Sequence, residues 1–201
     1  MVLLVPTGTP EAQLLQLVES RRTWLYGKLE VKTVQYRPAR TREFVPGEGF
    51  WYAGRTYRLR LVDAKGDAAL LGLRAGWFEL TRSHEHQGRE LFLAWYTAHL
   101  HAWLNAQLDL LRPRLKKLPQ GLHVQDLGYR WGSCGTRQEL YFHWRLALLP
   151  RRIAEYVLIH ELVHLEHPHH QDAFWHRVEA LVPDYLERKA WLARHGADYD
   201  L

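Results

Sequence analysis

The stretch that most constrains this chain is HELVH, at residues 160–164. A helix advances about 100° per residue, so His160 and His164 stand one turn apart on nearly the same face. Two imidazoles in that relation can hold one zinc ion, for which neutral ring nitrogen is a preferred donor. Glu161, directly after the first of them, can take a proton from a metal-bound water. The surrounding run from Ile153 to Leu165 reads as a largely buried helix. Ile153, Val157 and His160/Glu161 share one stripe, and Tyr156, Ile159 and Val163 line another. Three polar side chains on so apolar a helix need partners, because unpaired buried polar groups are costly. A metal and its water satisfy all three together; the competing reading is core histidines bonded to carbonyls.

Catalytic zinc takes three protein ligands and leaves a fourth position open. Pro168 disfavours helical geometry at His167, so the helix should end there. The chain then turns through His169 and His170 before Gln171-Asp172-Ala173-Phe174-Trp175 opens a further helix. A third ligand this close to the second requires such a turn. His170 is the preferred candidate with His169 behind it, and spacing barely separates them. Glu166 and His167 read as solvated or as supporting groups. Glu179 and Glu187, on a later helix, are alternative third ligands.

HELVHLEHPHHQDAFW resembles the signature of YgjP-like zinc metallopeptidases, relatives of the SprT-like proteases. That signature runs HELxH, five residues, His, three residues, Phe-Trp, and aligned on it the third histidine is His170. Upstream, Arg130-Trp131-Gly132-Ser133-Cys134 is similar to the family's RWGSC segment, and Trp144-Arg145-Leu146 to its NWRL. Weaker echoes occur over residues 50–59 and at Pro183-Asp184-Tyr185. The likeness covers most of the chain and is most specific over residues 129–192. It departs at His143, where asparagine is usual, and in an extra basic strand expected before Val2. The resemblance implies a compact gluzincin-type core with one Zn2+ and a peptide or protein substrate. Some SprT-like proteases act on protein attached to DNA.

Composition narrows the rest. At 201 residues the chain can bury roughly 70% of its unfolded surface. Nine Trp, ten Tyr and six Phe argue for an aromatic-rich core rather than disorder. The single cysteine, Cys134, excludes an intrachain disulfide and suits a reducing cytoplasm. Met1 to Pro6 lacks the basic flank and apolar length of a signal peptide, and no stretch has the length of a membrane span. These features predict a cytoplasmic protein. The net charge of +5 rests on arginine clusters at 21–22, 37–42, 55–60, 112–117 and 151–152. They read as solvated surface, or as a contact for DNA through its phosphates.

Along the chain, Thr9 and Pro10 start a helix that the apolar spacing carries to about Glu30. Residues 31–82 alternate between short runs and glycine turns, which predicts antiparallel hairpins. A long helix spans about 88–111, with a core stripe of Phe92, Trp95, His99, Trp103, Ala106 and Leu110. A short strand over 123–127 follows. Leu140 to Leu148 then alternate, with Tyr141, His143 and Arg145 on the face opposite the apolar residues.

The expectation is an α+β fold with a helical zincin-like core, its HELVH helix packed on a small antiparallel sheet. Residues 1–87 form an N-terminal helix and hairpin region, and residues 88–201 the metallopeptidase core. The function expected is zinc-dependent peptide hydrolysis with Glu161 as base. Tyr129, His143 and His176 are candidates to stabilise the transition state, and the 140–148 strand is the edge on which substrate would lie. The alternative is a nucleic-acid-associated protein with a structural or non-catalytic zinc.

Overall fold

A computed structural model of the chain describes residues 8, 10–20, 42–63 and 69–201. The chain divides into two compact units, residues 1–38 and 39–201. In the first, α1 (Glu11–Ser20) corresponds to the first half of the helix expected from Thr9 to Glu30. Thr9, the remainder of that helix and the turn at residues 65–67 lie outside the described residues.

The second unit opens with a four-stranded sheet: β1 (Gly49–Tyr52), β2 (Arg55–Val62), β3 (Leu71–Arg74) and β4 (Trp77–Thr81). Two antiparallel hairpins are present, as the glycine turns predict, but they are joined by a parallel pair. The order is β1-β2-β4-β3, and β2 runs parallel to β4 with Leu59 opposite Phe78 and Leu61 opposite Leu80. The sheet is therefore mixed, not antiparallel. Glycine turns specify each hairpin locally, whereas the pairing between hairpins is decided by which apolar faces meet. Here Phe50, Leu59, Phe78 and Leu80 are wholly buried. The Ala53-Gly54 turn between β1 and β2 donates from its two amides to the carbonyls of Ala147 and Leu148, at 2.9 and 2.8 Å. Gly54 sits at φ +79°, and a Cβ there would lie 2.8 Å from the backbone of Pro150. Glycine thus lets the hairpin press against the residue that begins the HELVH helix.

A 3-10 turn (Arg82–Gln87) leads into α2 (Gly88–Leu111), the long helix expected. Its buried stripe is Phe92, Tyr96, Leu100, Leu104, Leu108 and Leu111. Of the expected stripe only Phe92 is buried, and Leu110 is 71% exposed. Large apolar residues surround this helix, so its periodicity marks more than one face and packing chooses among them. Trp95 and Trp103 flank the stripe, half-buried.

The second sheet consists of β5 (Gly121–Gln125), β6 (Gly132–Cys134) and β7 (Glu139–His143), in the order β5-β7-β6. β5 is parallel to β7 and β6 antiparallel to it, so this sheet is also mixed. The strand expected over 140–148 stops at His143, whose Nδ1 accepts the amide of Arg145 and starts a 3-10 turn (Trp144–Ala147). Trp144, Leu146, Ala147, Leu148 and Leu149 are all buried, so the alternation beyond 143 carries no face preference. Pro150 then precedes α3 (Arg151–His164), followed by α4 (Asp172–Leu181) and α5 (Tyr185–His195). Both α4 and α5 pack on α3, as does β6. The fold is α+β. Among the described residues no helix is long and apolar enough to cross a membrane.

Candidate metal centre

The last turn of α3 and the loop after it bring three imidazoles together. Ring nitrogens of His160, His164 and His170 all lie within 4.8 Å of one another, and the facing Nε2 atoms of His160 and His170 are 3.0 Å apart. Helical spacing places the first two. The turn through Pro168 returns the third, and α4 starts only at Asp172. His169 and the acids Glu179 and Glu187 are not in this group.

Burial lowers the pKa of all three rings. His160 is pushed down to about 3, mostly by desolvation and then by its two histidine neighbours. His164 and His170 are lowered for the same leading reason, against the pull of a hydrogen bond at His164. Neutral imidazoles keep a lone pair for a cation, so the donor set fits a metal of zinc's kind. The His164 Nδ1 lies 3.2 Å from the His167 carbonyl, a contact that leaves Nε2 to the cluster when Nδ1 carries the proton. His160 Nδ1 is buried with no hydrogen-bond partner among the described residues, so on that side of the ring packing takes the place of a hydrogen bond.

Phe174 supplies the packing. It is fully buried, and its ring centroid lies 4.9, 4.6 and 4.7 Å from those of His160, His164 and His170. Trp175 stacks on His170 at 5.5 Å and 24°, and Tyr185 stacks on the Trp175 ring in turn. The Phe-Trp pair was legible as the start of a helix; its role as the floor under three imidazoles was not.

A cleft of about 640 Å³ opens over this centre. Its walls are β6 with the turn after it on one side, and His160, Glu161 and His164 on the other. Lys117 and His170 also line it. Glu161 is 7% exposed, and burial raises its pKa to about 7 against the opposing charge of Arg130. Across from it stands Gly132, where a Cβ would lie 2.7 Å from Glu161 Cγ and 2.8 Å from Oε1. Cys134 also borders the cleft, its thiol pKa raised by burial and then by the Glu161 charge. Glu166 is not solvated. Its side chain is 6% exposed and is clamped by Arg177, at 3.1 Å.

The other candidate residues lie elsewhere. Tyr129 is 88% exposed, His176 is exposed, and neither lines the cleft. His143 is buried, with Nε2 3.4 Å from Asp126 Oδ1 and its ring against Trp131 and Trp144. Tyr141 donates to Glu139 Oε2 and Arg145 pairs with Asp200. The strand that carries Tyr141 and His143 is no edge, because β7 is the central strand and both its sides are paired. Among the described residues, the open edge adjoining the cleft belongs to β6. Sequence alternation identifies a strand but not its neighbours, so the expectation of an edge at residues 140–148 fails on the pairing of β7.

Several residues of the arginine clusters are engaged within the fold. Arg42 pairs with Glu48, Arg60 with Glu79 and Arg112 with Asp109, while Arg151 lies between the Tyr52 and Trp103 rings. Arg21, Arg22, Arg37 and Arg40 lie outside the described residues.

A YgjP-like metallopeptidase domain model matches residues 1–195. Comparison with curated proteins and with solved structures gives no significant match. With a match over nearly its whole length, the chain belongs to the YgjP-like family, as a metallopeptidase domain.

Proposed function

We propose that this chain is a zinc-dependent peptidase of zincin-like architecture, with its core in residues 88–201, that hydrolyses peptide bonds in the cleft between β6 and α3. One observation carries the reading: three neutral imidazoles and a buried carboxylate share that cleft, beside a strand edge left unpaired among the described residues. His160, His164 and His170 would hold the ion. An all-nitrogen set of three suits a catalytic zinc, whereas structural zinc is usually closed by thiolates. Such an ion, when bound, polarises a carbonyl and acidifies water.

The remaining roles fall to the chain. The Glu161 carboxylate receives the proton of the attacking water and delivers it to the leaving amine. A pKa of about 7 suits a group that must both take and give a proton near neutrality. β6 would hold the substrate. Trp131 accepts from His143 and Gly135 donates to Glu139, so by alternation Gly132 and Cys134 turn their backbone groups to the open side. An extended peptide can add there as a further strand, gaining main-chain hydrogen bonds. Gly132 keeps the carboxylate close to that edge.

Glu161→Gln tests the reading, since it keeps size and hydrogen bonding but holds no proton for transfer. Bound zinc should be retained and hydrolysis of a peptide cleaved by the wild type should fall by about 10² or more. Unchanged hydrolysis in that variant would refute the assignment.

A further inference from the structure

Histidines aside, Lys117 and Glu161 are the two ionisable acid or base side chains other than the Cys134 thiol among those lining the cleft. Glu161 is committed to the chemistry and is buried, whereas Lys117 is exposed and forms no ion pair among the described residues. Its backbone is anchored all the same. The neighbouring Lys116 amide donates to Glu166 Oε1 at 3.2 Å. Glu166, two residues beyond His164, is gripped by Arg177, which also donates to the Arg114 carbonyl. The loop that carries Lys117 is therefore tied to the end of the helix that bears two of the three imidazoles.

The same sign recurs around the site. Lys189 Nζ lies 4.1 Å from the centre of the Trp175 ring, which stacks on His170. Arg130 is exposed at the start of the β6 segment, its guanidinium 3.4 Å from the Ser133 hydroxyl. Beyond Lys117, cations thus stand near His170 and near Glu161, the one carboxylate among the residues lining the cleft, which is buried. A cleft lined this way attracts anionic ligands and repels cationic ones.

We propose that the cleft selects peptides carrying a carboxylate close to the scissile bond, and that Lys117 is the residue that reads it. The proposal rests on the peptidase reading above and names its substrate class. The carboxylate is an Asp or Glu side chain or a free C-terminus, which present the same chemistry to a lysine. An exposed lysine acts as a mobile point charge, so the preference it confers is modest, about fivefold.

Binding tests it without relying on turnover. Zinc-loaded Glu161→Gln protein is titrated with fluorescent peptides that differ only in a central Glu, Gln or Lys, each with a free or an amidated C-terminus. The Glu peptide should bind about fivefold tighter than the Gln peptide, the Lys peptide weakest, and the differences should shrink in high salt. If amidation rather than the central residue removes the advantage, the carboxylate read is the C-terminal one. Adding Lys117→Glu should reverse the order in favour of the Lys peptide, an inversion that a purely structural role could not produce. Equal binding of the Glu and Gln peptides together with no loss on amidation, a charge preference unchanged in Lys117→Glu, or no binding of any peptide overturns the proposal. Failure of the peptidase reading looks different: the charge preference and its reversal persist while wild-type zinc protein cleaves none of the six.

Discussion

The tightest geometric demand in the cleft is the contact between Gly132 and Glu161, and Gly132→Ala tests it. The added Cβ would lie 2.7 Å from Glu161 Cγ, 2.8 Å from Oε1 and 3.0 Å from Cδ. Non-bonded heavy atoms rest at about 3.5–4.0 Å, so the carboxylate or the β6 backbone must retreat by about 1 Å. Glu161 is 7% exposed and flanked along α3 by buried Leu158 and Leu162, which leaves little room to absorb the shift. Overpacking of this kind costs about 1–3 kcal/mol. For a chain of this size that lowers the melting temperature by about 2–4 °C per kcal/mol. A displacement of about 1 Å in a catalytic group costs on the order of 10² in rate. The three histidines are untouched, so metal content should hold. The assay compares kcat/KM on a peptide that the wild type cleaves, metal per chain, and thermal unfolding. Since both substitutions act through one carboxylate, Gly132→Ala placed on Glu161→Gln should cost little further activity. Activity within about threefold of wild type, or loss of metal together with activity, would show that Gly132 does not serve Glu161.

Further outcomes follow from the same geometry. Alanine at His160, His164 or His170 should empty the metal site, while His169→Ala should leave it filled; emptying by His169→Ala alone would move the third ligand. Phe174→Ala should cost about 3–5 kcal/mol of stability, because the residue is fully buried. It should also weaken metal binding by about 10–100-fold, as loss of outer support does, and Phe174→Leu should recover part of both; unchanged metal affinity in Phe174→Ala would contradict the floor assigned to that ring. DNA should neither bind tightly at low salt nor stimulate hydrolysis, given how many of the described arginines are engaged; steeply salt-dependent binding would restore a nucleic-acid partner.

Local rules made the helical part of this protein readable in advance. The His160/His164 pairing depends only on helical pitch, and the end of α3 on the proline at 168. The start of α4 and the extent of α2 are likewise written in short-range pattern. The resemblance of HELVHLEHPHHQDAFW to one family pointed to His170 over His169, and the fold brings His170 to the other two rings. Other features depend on partners distant in sequence, which periodicity does not encode. Which face of α2 is buried could not be read, because apolar residues ring that helix. The parallel pairings of β2 with β4 and of β5 with β7 join strands separated by intervening chain, and they place β7 at the centre and β6 at the edge. Tertiary packing alone decided that Gly132 faces Glu161, that Phe174 lies under all three imidazoles, and that Glu166 anchors the loop bearing Lys117. Each of these is a side-chain contact between separate elements, and a linear pattern records the residues without recording who meets whom.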